Sequence, residues 1–198
     1  LNSFYLSGGY YGARTIVKAI VFGGSEKTYQ AWYGVDPAIM ETDRTYNYAG
    51  AIYNEDGSVS RFYNNEVDDH KQDHYQLHLS QRISEAWNAN LSLHYTDGRG
   101  YFEQYKQGES FANLGLPDAN IGDSIIQASD VIVRRWLDND YYGATFSTNY
   151  TKNNTELTFG GAMSRYDNAR HFGEIIWAEI SDNVPIRFVY YDGESEKT

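Results

Sequence analysis

The sequence lacks several residue types and patterns, and each absence removes a class of protein. Among its 198 residues there is no cysteine, which excludes disulfide bonds, thiolate metal sites and cysteine nucleophiles. No apolar run approaches the roughly 18 residues of a membrane-spanning helix, so helical membrane proteins are excluded as well. A transmembrane β-barrel stays open, because its strands carry only a weak alternating signal.

Positive charge is also scarce. The chain has 16 Lys and Arg against 27 Asp and Glu, which gives a formal net charge of -11. Such a chain has no general attraction for polyanions, and we therefore expect no nucleic-acid partner. Tyrosine, by contrast, is abundant: there are 19 Tyr, and this side chain suits surfaces that are wet on one side and apolar on the other.

Alternation of apolar and polar residues with a period of two is the main pattern, and it predicts an all-β chain. The clearest stretch covers residues 72–97. A hairpin with its turn in the middle of that stretch places Leu77 opposite Leu93 and Leu79 opposite Leu91, so that like side chains meet across the ladder. One face of this hairpin is apolar, and the other is almost wholly polar.

Two further hairpins follow from the same pattern. The hairpin over 139–166 turns at Asn153 and Asn154, because asparagine tolerates the positive φ that a tight turn needs. The hairpin at the start of the chain turns near 11–13 and alternates less regularly. We predict about six antiparallel up-and-down strands in one domain over 1–198, placed at 1–11, 14–27, 72–83, 87–98, 139–152 and 155–166.

Long polar stretches separate the hairpins, at Thr28–Lys71, Arg99–Asp138 and Asp167–Thr198. Short turns at one end of the strands and long extracellular loops at the other are typical of bacterial outer-membrane barrels, so the pattern predicts part of a transmembrane β-barrel. A second interpretation stays open. Alternating hairpins also form soluble β-sandwiches, in which case the chain would be a binding or adhesion domain at the cell surface or in the periplasm.

A family resemblance covers nearly the whole chain. It is carried by the stretches Thr15–Trp32, Asp73–His78, Leu91–Tyr101, Arg134–Gly143 and His171–Ala178. These stretches resemble the barrel of TonB-dependent outer-membrane receptors, in the branch that has a small regulatory-like domain ahead of the plug. The resemblance implies a 22-stranded barrel closed by a plug domain. We expect this chain, which begins at Leu1 without a signal peptide and contains no plug, to be a middle section of that barrel.

The resemblance also implies a function, a location and partners. It predicts active uptake of a scarce nutrient, such as an iron chelate, across the outer membrane. The energy would come from a TonB-type protein acting through the absent plug. The expected partners are that protein, outer-membrane lipid and a small nutrient ligand, with a surface lipoprotein as a further candidate. No cofactor is expected.

Rings near the long loops are the candidates for ligand binding, because rigid amphipathic side chains make good contacts with small ligands. The alternative, that these rings only pack the loops against one another, stays open. No spacing of Ser, His and Asp forms a nucleophile elbow or a triad, so we predict no enzymatic activity. The His and carboxylate cluster over 66–74 is interpreted as a solvated acidic segment, and no metal site is predicted. The ligand-binding candidates are Trp32, Tyr33, His70, His74, Tyr101 and Tyr105.

Overall fold

A computed structural model describes residues 1–181 and 187–197. Strands make up 71% of it and helices 7%, which confirms an all-β chain with antiparallel sheets. The helical pieces are α1 (Pro37–Met40) and single turns at Tyr48–Gly50, Phe111–Leu114 and Glu179–Ser181. The strands are β1 (Asn2–Tyr11), β2 (Thr15–Tyr29), β3 (Ala51–Tyr53), β4 (Val59–Phe62), β5 (Val67–Arg82), β6 (Trp87–Ser110), β7 (Ala119–Ile121), β8 (Ser124–Ile126), β9 (Ala128–Lys152), β10 (Thr155–Ala178) and β11 (Phe188–Lys197).

Seven strands form one antiparallel sheet in the order β1-β2-β5-β6-β9-β10-β11. The strands of this sheet therefore follow one another in chain order, as in an up-and-down arrangement. The two other sheets are small hairpins, β3 with β4 and β7 with β8. Within the described residues, β1 and β11 are the two edges and do not pair with each other, so the sheet is open there. None of the helical pieces that the structure describes is long and apolar enough to cross a membrane.

Tight turns and long connections lie at opposite ends of this sheet. The tight turns are at 12–14, 83–86 and 153–154. At the other end, residues 30–66 connect β2 to β5 and residues 111–127 connect β6 to β9. We call these the turn end and the loop end.

The register of the central hairpin is confirmed. Leu77 pairs with Leu93 and Leu79 with Leu91, and the backbone N–H of Ile83 donates to the carbonyl of Trp87 at 2.9 Å. Like side chains therefore meet across the ladder, as the alternation predicts.

The strands at the loop end are longer than predicted, and the loops are correspondingly shorter. β5 begins at Val67 rather than 72, β6 ends at Ser110 rather than 98, and β9 begins at Ala128 rather than 139. β10 likewise ends at Ala178, and β11 occupies a stretch predicted as loop. Backbone pairing continues beyond the point where the alternation of polarity stops. The alternation stops because both faces of the sheet near the loop end carry a mixture of polar, charged and aromatic groups.

One face of the sheet carries an uncovered apolar band, and we call it the band face. Its rows run across five strands, for example Val17, Leu79, Leu91, Phe146 and Gly161. Leu77, Leu91, Phe146 and Met163 of this band are 38 to 74% exposed, whereas Val17 and Leu79 are half-buried by their neighbours in the sheet. No second layer of described residues covers the band.

Aromatic rings border this band at both ends. At the turn end the rings of Trp87 and Tyr150 lie 4.9 Å apart, and at the loop end those of Tyr75 and Tyr95 lie 5.8 Å apart. A row of aspartates follows directly beyond the tyrosines on adjacent strands: Asp73, Asp97, Asp140 and Asp167. The band therefore stops sharply where charge begins.

The opposite face is the histidine face, since all five histidines of the chain lie on it. On β6 and β9 near the turn end most of its side chains are small and neutral, such as Ser92 and Thr145, whereas β2 places Lys18 and Ile20 on this face. Its core lies at the loop end, where the turn at Phe111–Leu114 packs over the upper strands. That core consists of Leu114, Val131, Val133, Ile175 and Ala178, with Leu116 and Tyr190 against it.

The turn between β9 and β10 gives a prediction with a small effect. Asn153 has a φ of 54°, and it is the one residue other than glycine with positive φ among the described residues. We expect Asn153→Ala to lower the free energy of unfolding by about 1 kcal/mol, because alanine resists the left-handed region. Asn154→Ala, at the next position, is the control and should change it by less than about 0.5 kcal/mol. Equilibrium unfolding in urea measures both, and equal losses would contradict the argument.

Candidate functional site

The six candidate residues do not form one site. His70 and His74 lie in β5 on the histidine face, whereas Tyr101 and Tyr105 lie in β6 on the band face. All four are strand residues rather than loop residues, because β5 and β6 extend past their predicted ends. The remaining two candidates lie in the connection 30–66 and are described below with their neighbours.

His70 and His74 do come together, in a hollow of about 320 Å³ beside β1 and β2. The ring of His74 stacks on Phe22 at 4.4 Å, and its Nδ1 lies 2.9 Å from the hydroxyl of Thr96. His70 contacts the backbone carbonyl of Lys71 at 3.1 Å through its Nδ1. Each ring keeps one nitrogen for a further partner.

The histidines nearer the turn end contact small polar groups. His78 lies 2.9 Å from the hydroxyl of Ser92, and the ring of His94 lies 5.0 Å from that of Tyr141. The His94 ring faces Gly143, where a Cβ would lie 2.8 Å from it. These contacts form a polar lining along β5, β6 and β9.

The acidic and histidine cluster over 66–74 is divided by strand alternation. His70 and His74 point to the histidine face, while Asp69 and Asp73 lie on the band face, where Asp73 pairs with Lys71 at 2.7 Å. Within 1–181 and 187–197, no group of three or more His, Asp or Glu side chains could hold a metal ion.

Tyr101 belongs to a buried polar network on the band face. The guanidinium of Arg134 lies 4.4 Å from the Tyr101 ring and donates to Glu103 at 2.7 Å. Glu103 is 1% exposed, and it also accepts hydrogen bonds from the Tyr63 hydroxyl and the Asn65 amide, both at 2.5 Å. Because Tyr63 and Asn65 come from the connection 30–66, this network holds that connection on the sheet.

Tyr105 lies nearer the loop end of β6 than this network, and its contacts are also with other residues of the chain. Its hydroxyl donates to Asp130, and its ring lies 5.8 Å from that of Tyr63 and 6.1 Å from that of Trp177. Burial and the hydrogen bond to Asp130 raise the pKa of Tyr105 to about 12. Its phenol therefore stays protonated, and the residue packs the connection 30–66 against β6.

A cleft on the histidine face brings a cation and several rings together, and we call it the arginine cleft. Its volume is about 480 Å³, and it lies between the turn at Phe111–Leu114 and β11. Gly173 allows the Tyr190 ring to lie on the floor, since a Cβ there would be 2.3 Å from that ring. The main lining residues are Phe102, Leu114, Arg135, Leu137, Tyr190 and Tyr191.

Trp32 and Tyr33 adjoin this cleft. The Trp32 ring meets Phe102 edge-on at 4.6 Å, and the guanidinium carbon of Arg135 lies 5.8 Å from the centroid of the Phe102 ring. Arg135 also lines a second hollow of about 610 Å³, together with Tyr33 and Tyr48. Arg135 thus stands between two openings that face the same side of the sheet.

The arginine cleft carries an excess positive charge at Arg135, although the chain as a whole is acidic. Arg135 is exposed and has no ion-pair partner among the described residues, whereas the nearby Lys106 is paired with Glu109 at 2.9 Å. Burial raises the pKa of Tyr190, and the charges of Arg135 and Lys106 oppose that rise. A guanidinium with free donors beside aromatic rings is suited to bind an anionic group.

Sequence reasoning did not single out Arg135. The signal that could have found it is the pair Arg134 and Arg135 in a β-strand, because alternation sends consecutive side chains to opposite faces. Arg134 reaches Glu103 on the band face, and Arg135 lies on the histidine face, where none of the described carboxylates pairs with it.

Comparisons with known proteins add no assignment. No family model matches the sequence, and no curated protein or solved structure is significantly similar to it. The resemblance to TonB-dependent receptors therefore stays a prediction.

Proposed function

We propose that this chain forms part of the barrel wall of a TonB-dependent outer-membrane receptor that takes up a scarce nutrient, such as an iron chelate. The observation that carries the proposal is the apolar band. It is continuous across the strands, bordered by aromatic rings and uncovered in the described residues. Lipid is a covering that suits such a band, because outer-membrane barrels have an outward apolar belt between two aromatic girdles.

The dimensions of the band agree with this proposal. The distance along β6 from Trp87 to Tyr95 is about 27 Å at ~3.4 Å per residue. With the 35–45° tilt of barrel strands, this spans roughly 20 Å of membrane height, near the ~25 Å of such belts. The 22-stranded closure, the plug and the TonB-type partner rest on the family resemblance.

The opposite face would line the lumen, which suits its histidines and its small neutral groups. The connections at the loop end would then lie outside the cell, with the arginine cleft at their base. In this arrangement Trp32, Tyr33, His70 and His74 are the better placed of the candidate ligand contacts. Tyr101 and Tyr105 lie on the outward side, where Arg134 packs on the Tyr101 ring and Tyr105 packs against Tyr63 of the connection 30–66.

The alternative, a soluble β-sandwich for binding or adhesion, requires a second sheet packed about 10 Å from the band. The described residues contain only two short hairpins besides the main sheet, and these are β3–β4 and β7–β8 at the loop end. The uncovered band therefore favours the membrane proposal over the sandwich.

Two matched variants test the topology in the full-length protein. Glu55, in the turn between β3 and β4, and Glu85, in the turn between β5 and β6, are both exposed and lie at opposite ends of the sheet. With other cysteines removed, we expect Glu55→Cys to react with a membrane-impermeant maleimide on intact cells. Glu85→Cys should react only after the outer membrane is permeabilised.

The control is the same reaction on the solubilised protein, where both cysteines should be labelled. Labelling of both on intact cells would indicate a surface domain and favour the sandwich. Labelling of neither would place the chain inside the cell envelope and overturn the receptor proposal.

A further inference from the structure

The arginine cleft is the place where the histidine face can recognise a particular ligand chemistry. Its opening is about 480 Å³, within the usual range for small-molecule sites of roughly 300–1,000 Å³. The turn at Phe111–Leu114 and the rings of β11 form its walls. The cleft is therefore large enough for one ring system with substituents.

Two kinds of contact are available on its floor. Phe102, Leu137 and Tyr191 offer apolar and aromatic surface, and the last two are 51% and 43% exposed. Arg135 offers the five donors of a guanidinium in a fixed planar arrangement. In the sheet, Arg135 pairs with Phe102 on one side and Gly173 on the other, so no side chain separates the cation from the ring.

Arg135 is the charge at the cleft that has no ion-pair partner among the described residues, whereas the nearby Lys106 and Glu109 pair with each other. The ring of His171 lies 5.5 Å from that of Tyr191 at the same cleft. The nearest acidic residue in the same row is Asp68, which lies across Phe102 on β5, two strands away. An anion would therefore gain at Arg135 without displacing an internal salt bridge.

We propose that the arginine cleft binds a small ligand in which an anionic group is attached to an aromatic ring, with the anion at Arg135 and the ring against Phe102 and Tyr191. This chemistry includes aromatic carboxylates and chelates built from them. The identification of such a ligand as the transported cargo rests on the proposed function, but the binding itself does not.

The test uses two probes of the same shape, 2-naphthoate and its neutral analogue 2-naphthamide, with purified full-length protein and isothermal titration calorimetry. We expect naphthoate to bind at least about ten-fold more tightly than naphthamide, because hydrogen bonds to a charged group contribute at least that factor. Arg135→Gln should weaken naphthoate binding at least about ten-fold and remove the difference between the two probes. Phe102→Leu should weaken both probes to a similar extent.

A matched control is Arg82→Gln, because Arg82 is an exposed arginine at the turn end without an ion pair in the described residues. It should leave the binding of both probes unchanged. Residual naphthamide binding by Arg135→Gln shows that the cleft is still folded.

Three results would overturn the proposal: no binding of either probe, equal affinity for both probes, or unchanged naphthoate affinity in Arg135→Gln. A competition experiment compares inorganic phosphate with benzoate as displacers of bound naphthoate. If phosphate displaced naphthoate at the same concentration as benzoate, charge alone would be recognised and the aromatic part of the proposal would be wrong. The labelling experiment decides the membrane topology independently, so failure of the receptor proposal and failure of the cleft are distinguishable.

Discussion

Phe146→Arg is expected to lower the free energy of unfolding in lipid vesicles by about 2–4 kcal/mol, whereas Thr145→Arg leaves it nearly unchanged. Phe146 lies in the middle row of the apolar band, between Leu91 and Gly161, and is 49% exposed in the chain itself. A cation at the centre of a lipid-facing barrel surface costs about this much. Thr145 is the preceding residue on β9 and points to the histidine face, where a charge would meet water.

The pair is informative because the two residues share a strand and differ in the face they occupy. Denaturant titration of both variants in vesicles measures the difference. If each variant loses less than about 0.5 kcal/mol, as exposed surface positions do, the band contacts nothing and the receptor proposal fails. If Phe146→Arg destabilises a protein that stays dispersed without detergent or lipid, another protein segment covers the band and the sandwich is favoured.

The turn end of β5, β6 and β9 could be predicted because each of these strands has two faces of different polarity there. Leu77 and Leu93 meet across β5 and β6, while His78 and Ser92 meet on the other side. A shift of register by one residue would move every leucine to the polar face, so the pattern allows one alignment. The apolar row continues into the first hairpin, where Val17 pairs with Leu79, but the alternation is less regular there because Ile20 lies on the histidine face.

The loop end could not be predicted in this way. On β6 the band face changes from Tyr95 to Asp97, Arg99, Tyr101 and Glu103 in successive outward positions, so polarity no longer reports the face. β11 escaped prediction for a related reason, since its pairing with β10 is interrupted by a register shift between Gly173 and Glu174. Alternation is lost wherever such an irregularity occurs.

The candidate site shows the same limit. Tyr101 and Tyr105 are ligand-binding candidates by residue type alone. Their roles in the structure depend on which face they occupy and on the carboxylates beside them. Arg135 differs from them: the Arg134–Arg135 pair indicates only that the two side chains lie on opposite faces, and its role depends on its having no ion-pair partner among the described residues. Neither property can be read before the register of β6 and β9 is known.

The second large effect concerns Glu103. Glu103→Ala is expected to destabilise the loop end by about 2–3 kcal/mol, because it removes a buried carboxylate that accepts hydrogen bonds from Tyr63, Asn65 and Arg134. Arg134, whose side chain is 25% exposed, would lose its carboxylate, and the hydroxyl of Tyr63 and the amide of Asn65 would lose their acceptor. Hydrogen exchange followed by mass spectrometry should show faster exchange over 30–66.

The effect should stay local, because the paired strands at the turn end do not depend on this network. Peptides covering 75–95 are expected to keep the exchange rates of the unaltered protein. Burial and the hydrogen bond to Glu103 raise the pKa of Tyr63, so Tyr63 remains a donor, and Glu103→Gln, which keeps an acceptor oxygen, should lose less protection than Glu103→Ala. Glu156→Ala, at an exposed position near the turn end, should change neither region.

Two results would contradict this account. Unchanged exchange over 30–66 in Glu103→Ala would mean that the connection is held by its other contacts, such as the pair of hydrogen bonds between Gln107 and the backbone of Tyr53 at 2.9 and 2.7 Å. Faster exchange over the whole sheet would mean that the loop end and the turn end unfold together. Since the apolar band contributes no internal core within the described residues, we expect instead that the buried network at the loop end stabilises its own region and that lipid stabilises the rest.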